Sequence, residues 1–371
     1  MDLPFLMLVV MLSVIGLVMM FSASYASALN DKDTGYNAAY YFIRQGLFAV
    51  MGMGLMLLIS RINYQIFRPL AVPLMASSIA LLVLVLIVGV ERNSAKRWIL
   101  IPGFSQFQPS EIAKLAVIVC FAAMISVYKD RMKTFRYGIL PFMAILGVIA
   151  FLMFLEPHLS GTVLILGVGG ALMFVGGVHW GWFAALLGGG GLGVYLILTT
   201  DLLGKILPYA MRRIELWRNP FLDPRGSGYQ AIQSLYAIGS GGAFGLGLGK
   251  SRQKYLYLPE EHNDFVFAIV CEELGLIGAC IVLLLFAVLI LRGYWIAIHA
   301  RDRFGSLMVT GIVTLLAMQT FFNVAVVTNL IPVTGMSMPF FSYGGTSLLI
   351  QLMEMGIVLA VSRQIPAPKS G

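Results

Sequence analysis

The sequence predicts an all-α polytopic membrane protein of about ten transmembrane helices, with a large extracytoplasmic loop between helices 7 and 8. Three observations carry that prediction. The 371 residues are 59% hydrophobic and only 11% charged, where a soluble domain carries roughly 25% charged residues. Apolar runs of about 18 or more residues, long enough to span a bilayer, recur ten times. Basic residues then fall unequally on the two sides that those runs define.

The first run, 4–22, has no charge between Leu3 and Ser22. No convincing small-residue cleavage site follows it, so it reads as a retained span rather than a signal peptide. Runs 41–60 and 69–89 flank a short connection holding Arg61 and Arg68. Runs 111–127 and 138–155 flank Lys129, Arg131, Lys133 and Arg136. Runs 161–178 and 182–199 follow, and the long polar region 200–264 separates them from 265–291. Runs 306–327 and 346–362 complete the set.

With the amino terminus inside, the inner connections also hold Arg292, Arg301, Arg303, Arg363 and Lys369. The short outer ones hold Lys32, Arg44, Arg92, Lys96 and Arg97. The balance favours both ends in the cytoplasm. The 200–264 region carries further basic residues, but long loops translocate largely regardless of charge. The chain reads as one domain over 1–371 with 200–264 as a loop within it. The net charge of +8 says little about nucleic acid, and it suits a membrane protein whose substrate carries phosphates.

Cys120, Cys271 and Cys280 all fall within spans, so they offer no disulfide framework and read as small core residues. His158, His179, His262 and His299 are scattered and form no ligand cluster. Three outer stretches are longer than simple connections: 91–114, 200–264 and 329–347. Long ordered loops are where function concentrates, and all three fall on one predicted face.

The most informative residue is Asp264, an acid closing a polar loop where the apolar run Phe265-Val-Phe-Ala-Ile-Val begins. An ionisable group at a membrane boundary needs a partner or a task. The structural reading is a helix N-cap. The functional reading is chemistry on a molecule that resides in the membrane.

In Gln108-Pro-Ser-Glu-Ile-Ala-Lys114, Pro109 and Ser110 are helix-start residues. Glu111 and Lys114, spaced i, i+3, share a helix face. They are either a buried pair that neutralises itself or a cation at a cavity edge, placed for a pyrophosphate. The stretch Gly239-Ser-Gly-Gly-Ala-Phe-Gly-Leu-Gly-Leu-Gly-Lys-Ser251 is not a nucleotide-binding loop. The glycine required five positions before Gly249 is Phe244, and no strand is expected before it. It reads as a tightly turning or re-entrant segment that lets backbone approach a ligand. Gly188–Gly191 reads as a close helix-packing surface.

Arg212, Arg213, Arg218 and Arg225 alternate with Trp217, Phe221 and Tyr229. That pattern fits a membrane-surface helix, although guanidinium forks also suit phosphate. At 100° per residue, Glu272 lies about 80° from the Asp264 face and Glu273 about 180°. At least one of them is expected to be a paired structural acid.

These stretches together resemble the SEDS family of polytopic cell-wall proteins (shape, elongation, division, sporulation). The residues that carry the likeness are Phe107-Gln-Pro-Ser-Glu-Ile-Ala-Lys114, Gly228-Tyr-Gln-Ala-Ile-Gln-Ser234 with Gly239-Ser-Gly-Gly242, and Asn263-Asp-Phe-Val-Phe-Ala-Ile269. Glu272-Glu-Leu-Gly-Leu-Ile-Gly278 and Pro332-Val-Thr-Gly through Ser342-Tyr-Gly-Gly345 complete them. They run in order over about 1–363. Phe21-Ser-Ala-Ser24 and Met336-Ser-Met-Pro-Phe-Phe-Ser342 favour the FtsW/SpoVE branch over RodA.

The resemblance implies a peptidoglycan glycosyltransferase that polymerises lipid II on the outer face of the cytoplasmic membrane, beside a class B penicillin-binding transpeptidase. It implies Asp264 as the catalytic acid. It implies Lys114, Glu111, Ser110, Arg213, Gln233 and Ser342 as substrate-binding residues. One departure stands out: Glu156-Pro-His158 replaces the Pro-Asp pair of many relatives, which puts in doubt any role tied to a carboxylate there.

The chemistry is consistent with that inventory. An α-linked donor giving a β-1,4 product requires one inversion, hence direct displacement. The attacking 4-hydroxyl needs a base. The leaving pyrophosphate needs positive charge from Lys, Arg or a divalent cation such as Mg²⁺ or Mn²⁺. Three rivals remain: a lipid II flippase, a secondary transporter, which would show internal repeats not evident here, and a scaffold for the transpeptidase.

Overall fold

The computed structural model describes residues 1–92, 95–101, 105–185, 188, 214–226 and 228–365. Its helices are α1 (Leu3–Asn30), α2 (Tyr40–Ile59), α3 (Phe67–Val88), α4 (Pro109–Tyr128), α5 (Leu140–Leu155) and α6 (Leu159–Val175). They continue with α7 (Tyr229–Gly241), α8 (Val266–Ile298), α9 (Arg303–Val327) and α10 (Gly345–Arg363). Among the described residues, eight helical segments are long and apolar enough to cross a membrane, and α6 is a shorter apolar helix. Nine of the ten expected spans are therefore helical. The seventh, 182–199, lies largely outside the described residues, as does most of the glycine run 188–191. Helix α7 is not that span; it belongs to the long loop.

Burial sorts the helices. Most of α4, α9 and α10 is buried, whereas only 28% of the membrane-length windows of α2, α3 and α8 is buried. A helix apolar all round and buried belongs at the centre of the bundle. The polar residues at the ends of α4 and α10 consequently point into protein rather than lipid.

The stretch after α3 is not a simple loop. It forms a three-stranded antiparallel sheet, β1 (Val90–Arg92), β2 (Ala95–Ile101) and β3 (Ser105–Phe107), in the order β1-β2-β3. The small sheet satisfies its own backbone beside the bundle and delivers Gln108 and α4 to the interior.

The glycine-rich segment approaches another backbone, which corrects the ligand reading. Helix α8 breaks at Gly275, with φ 69° and ψ −173°. The segment fills that break. Leu246 N and Gly247 N donate to Glu272 O and Glu273 O, each at 3.0 Å, while Leu276 N and Ile277 N donate to Gly242 O and Ala243 O at 2.9 and 3.1 Å. The helix's orphaned groups are thus re-satisfied, as irregular backbone at membrane depth requires. Glycine is needed for the approach: a Cβ on Gly245 would stand 2.2 Å from Glu273 O.

Both Glu272 and Glu273 are structural. Glu273 accepts from Ser22 Oγ at 2.7 Å, Gly249 N at 2.9 Å and Lys254 Nζ at 3.1 Å. Glu272 accepts from Ser251 Oγ, and from Arg252 N at 3.0 Å and Gln253 N at 3.3 Å. Ser251 reaches both, donating from N to Glu273 and from Oγ to Glu272; the angles taken from Asp264 do not apply, because the helix starts at Val266. The three cysteines are free; Cys120 and Cys271 are buried, while Cys280 is exposed rather than in the core.

Candidate active site

The three outer stretches meet at one end of the bundle around a cavity of about 1520 Å³. That exceeds the roughly 300–1,000 Å³ of a site for a drug-sized molecule. Its walls hold Asp264, Lys114, Glu111 and Ser342 together. Of the other expected site residues, Ser110 is buried with an unpartnered hydroxyl, and neither it nor Gln233 is on the cavity wall. The glutamine of α7 that faces the cavity is Gln230, one turn earlier, whose amide donates to Pro259 O at 3.2 Å. Arg213 lies outside the described residues. Arg218 and Arg225 are exposed beside exposed Phe221 and Leu222, which suits the surface-helix reading.

Asp264 is positioned by its backbone. Asn323, on α9, donates from Nδ2 to Asp264 O at 2.8 Å and to Met336 O at 2.6 Å. Ser342 Oγ donates to Asn263 O at 2.6 Å and accepts from Met338 N at 2.7 Å. The outer ends of α8, α9 and α10 are stapled together at the acid. The N-cap reading fails: Phe265 flanks the helix, and no side chain caps it. Burial pushes the Asp264 carboxyl up to about 7; Glu260 adds to the rise, while Arg97 and His262 oppose it.

Lys114 and Glu111 form a 2.7 Å ion pair with side chains only 5% and 10% exposed. Glu354 of α10 is also buried and lies within electrostatic reach of both. Lys114 is paired with Glu111, and Glu354 is a further buried acid near them inside the bundle. A buried cation loses far more by standing alone than by being paired, and Glu111 supplies that pairing on the cavity wall.

Sequence reasoning missed Arg97 as a site residue. It projects from β2 onto the cavity wall and donates from Nε to Glu156 O at 3.4 Å and from a terminal nitrogen to Pro157 O. The turn it grips holds the departure from the family pattern. His158 is buried on the cavity wall with Nε2 3.5 Å from Gln108 Nε2. Burial, then Arg97 and Lys114, drive its imidazole down to about 3, so it is neutral. Glu156 is buried behind it, and burial pushes its carboxyl up to about 8, against Arg97. The turn therefore adds no negative charge beside the cations at neutral pH. Only the sheet register could have flagged Arg97, and the sequence gives that sheet no strong pattern.

Among the described residues, no group of three His, Cys, Asp or Glu side chains is placed to hold a metal ion.

The family described as "Cell cycle protein", comprising FtsW, RodA and SpoVE, matches residues 3–366. The chain belongs to this family. It is 42% identical to Stage V sporulation protein E of Bacillus subtilis, over 98% of this chain and 97% of that one. It is 40% identical to the probable peptidoglycan glycosyltransferase FtsW of Geobacter sulfurreducens, over 98% and 95%. The fold is similar to Thermus thermophilus rod shape determining protein RodA, with a TM-score of 0.69, 27% identity and coverage of 99% and 98%. It is also similar to a chain of a peptidoglycan synthase complex that coordinates polymerization and crosslinking, with a TM-score of 0.79, 29% identity and coverage of 98% and 97%. The family resemblance, the polytopic helical fold and the FtsW/SpoVE likeness expected from the motifs all hold.

Proposed function

We propose that this protein is a peptidoglycan glycosyltransferase that polymerises lipid II at an extracytoplasmic site and works with a class B penicillin-binding transpeptidase. The observation that supports it best is one carboxylate, poised near neutral pH, in the same cavity as Lys114 and Arg97. A general base works best when its pKa lies near the operating pH.

The acceptor's 4-hydroxyl oxygen attacks the anomeric carbon of the donor sugar and forms the new glycosidic bond. Asp264 takes the hydroxyl proton. The bond from the anomeric carbon to the pyrophosphate oxygen breaks, and the lipid pyrophosphate leaves with the electron pair. Lys114 and Arg97 stabilise the charge that develops on it. Glu111 keeps Lys114 in place, and Ser342 and Asn323 hold the backbone of the base. The isoprenoid tails lie among the apolar spans, where exposed side chains face lipid.

The test is incubation of purified lipid II with the purified protein, with and without a cognate transpeptidase. Glycan chains longer than the starting disaccharide support the reading. Transbilayer movement of lipid II without chain growth supports the flippase instead. A flippase working through paired acids deep in the spans fits less well, because Glu272 and Glu273 are fully engaged by the glycine-rich segment.

A further inference from the structure

Beside Asp264 the cavity wall carries a group of aromatic rings that the displacement chemistry does not use. Tyr41 stands at the start of α2, His262 two residues before the acid, and Tyr343 in the turn leading to α10. The centroids of Tyr41 and His262 are 4.7 Å apart at 30°. Those of Tyr41 and Tyr343 are 4.8 Å apart at 77°, and those of His262 and Tyr343 5.9 Å apart at 63°. All three residues line the cavity and are partly buried. A second cleft of about 400 Å³ shares Tyr41 and His262 with the main cavity. The rings therefore sit where two open spaces join.

An interfacial aromatic belt would turn such rings toward lipid headgroups. These rings pack on one another, and all three residues line the cavity. They are also fixed relative to the acid. Tyr343 N donates to His262 O at 2.8 Å. Gln45 of α2 donates from Nε2 to Ser342 O at 3.1 Å and accepts from Gly344 N at 3.2 Å. One residue, Asn263, separates His262 from Asp264. A site on packed, hydrogen-bonded elements holds its geometry without further ordering.

Ring faces carry the negative side of the aromatic quadrupole. They repel a phosphate and attract the slightly positive axial C–H bonds of a pyranose. A β-linked hexosamine in a chair presents such C–H faces. We propose that Tyr41, His262 and Tyr343 form a stacking platform that seats the acceptor sugar and sets its hydroxyl beside Asp264. The proposal rests on the glycosyltransferase reading of the same cavity and adds where the acceptor binds, with Lys114 and Arg97 left to the donor pyrophosphate.

The test uses the purified full-length protein with saturating 4-deoxy lipid II, which can donate but not accept, and a soluble N-acetylglucosamine–N-acetylmuramic acid oligosaccharide, which can accept but not donate, as the varied acceptor. Tyr343→Leu and Tyr41→Leu keep apolar bulk but remove the ring face. Each raises the acceptor KM about 5- to 100-fold, the range for losing one stacked ring, while the donor KM and kcat change little. Tyr343→Phe keeps the ring and holds the acceptor KM near the parent value. An unchanged acceptor KM in both leucine variants, with polymerisation intact, overturns the platform and leaves the glycosyltransferase reading standing. So does a phenylalanine variant as impaired as the leucine one. If the parent does not polymerise at all, calorimetric titration with a soluble N-acetylglucosamine–N-acetylmuramic acid oligosaccharide decides. Binding by the parent that is lost in Tyr41→Leu supports the platform alone, and binding absent from the parent or unchanged in the variant overturns it.

Discussion

Gly335 holds its backbone at φ 70° directly against the Asp264 carboxylate: a Cβ there would stand 3.3 Å from Oδ2. The space in front of the acid is thus left by a residue that alone tolerates this conformation without strain. Gly335→Ala adds a left-handed penalty of roughly 1–2 kcal/mol and places a methyl group where a substrate hydroxyl would approach. Glycan synthesis is expected to fall at least about tenfold at an assay temperature where the variant remains folded by thermal melting. A rate close to the parent's would mean that this face of the carboxylate is not used.

The Lys114–Glu111 pair separates structure from binding. Lys114→Met leaves Glu111 buried without its cation, and breaking a buried pair costs about 3–5 kcal/mol. The expected result is a large drop in the melting temperature. Adding Glu111→Gln removes one stranded charge and recovers part of that loss. If Lys114 serves the donor pyrophosphate, the double variant folds and still makes no glycan. Full activity in the folded double variant would reduce the pair to packing.

The raised Asp264 pKa gives the activity a pH signature. A base that must be ionised makes kcat/KM climb with pH and level off above about 7. Glu260→Gln removes a repelling charge and moves the climb to lower pH. Arg97→Gln removes an attracting charge and moves it to higher pH. Stability runs the other way. The folded-state pKa lies above the ordinary 3.8, so the folded form prefers the protonated acid, and that contribution is lost as pH rises through about 7. Asp264→Asn is accordingly expected to melt higher than the parent at pH 8 and no differently near pH 3. Shifts of the two charge variants in the same direction would contradict this electrostatic picture.

Much of this was visible before the structure. Nine of the apolar runs are helices because about 20 apolar residues have few other ways to satisfy their backbone in lipid. Asp264, Lys114 and Glu111 were legible because a charge beside or within a span is costly and needs a reason. Arg97 was not, because a charged residue in an outer loop is ordinary until a sheet turns it inward. Gln230 rather than Gln233 lines the cavity, because a motif marks a helix without marking which face meets a cavity. The glycine-rich stretch packs against the backbone of α8. Its partner, the break at Gly275, lies some 30 residues away in a run that reads as continuous helix. Contacts of that kind depend on tertiary packing rather than local pattern.

The orientation is open to a direct measurement. The basic-residue balance places both ends in the cytoplasm and the 200–264 region outside. A cysteine introduced at Ser227, in a background lacking Cys120, Cys271 and Cys280, should react with a membrane-impermeant maleimide on intact cells. Labelling only after permeabilisation would move the cavity to the cytoplasmic side and exclude an extracytoplasmic polymerase.

The central claim is that Asp264 takes the acceptor's proton. Asp264→Asn keeps the size of the side chain and its backbone anchor to Asn323, and removes only the proton acceptor. Since the residue does not cap α8, the change carries no capping penalty. The decisive measurement is the rate of glycan-chain growth from purified lipid II by the folded Asn variant, at pH 8 and beside the parent. The account predicts a fall of roughly 10²–10⁴-fold with lipid II binding and membrane insertion intact. A folded Asn variant that still builds long chains at near the parent rate would contradict it.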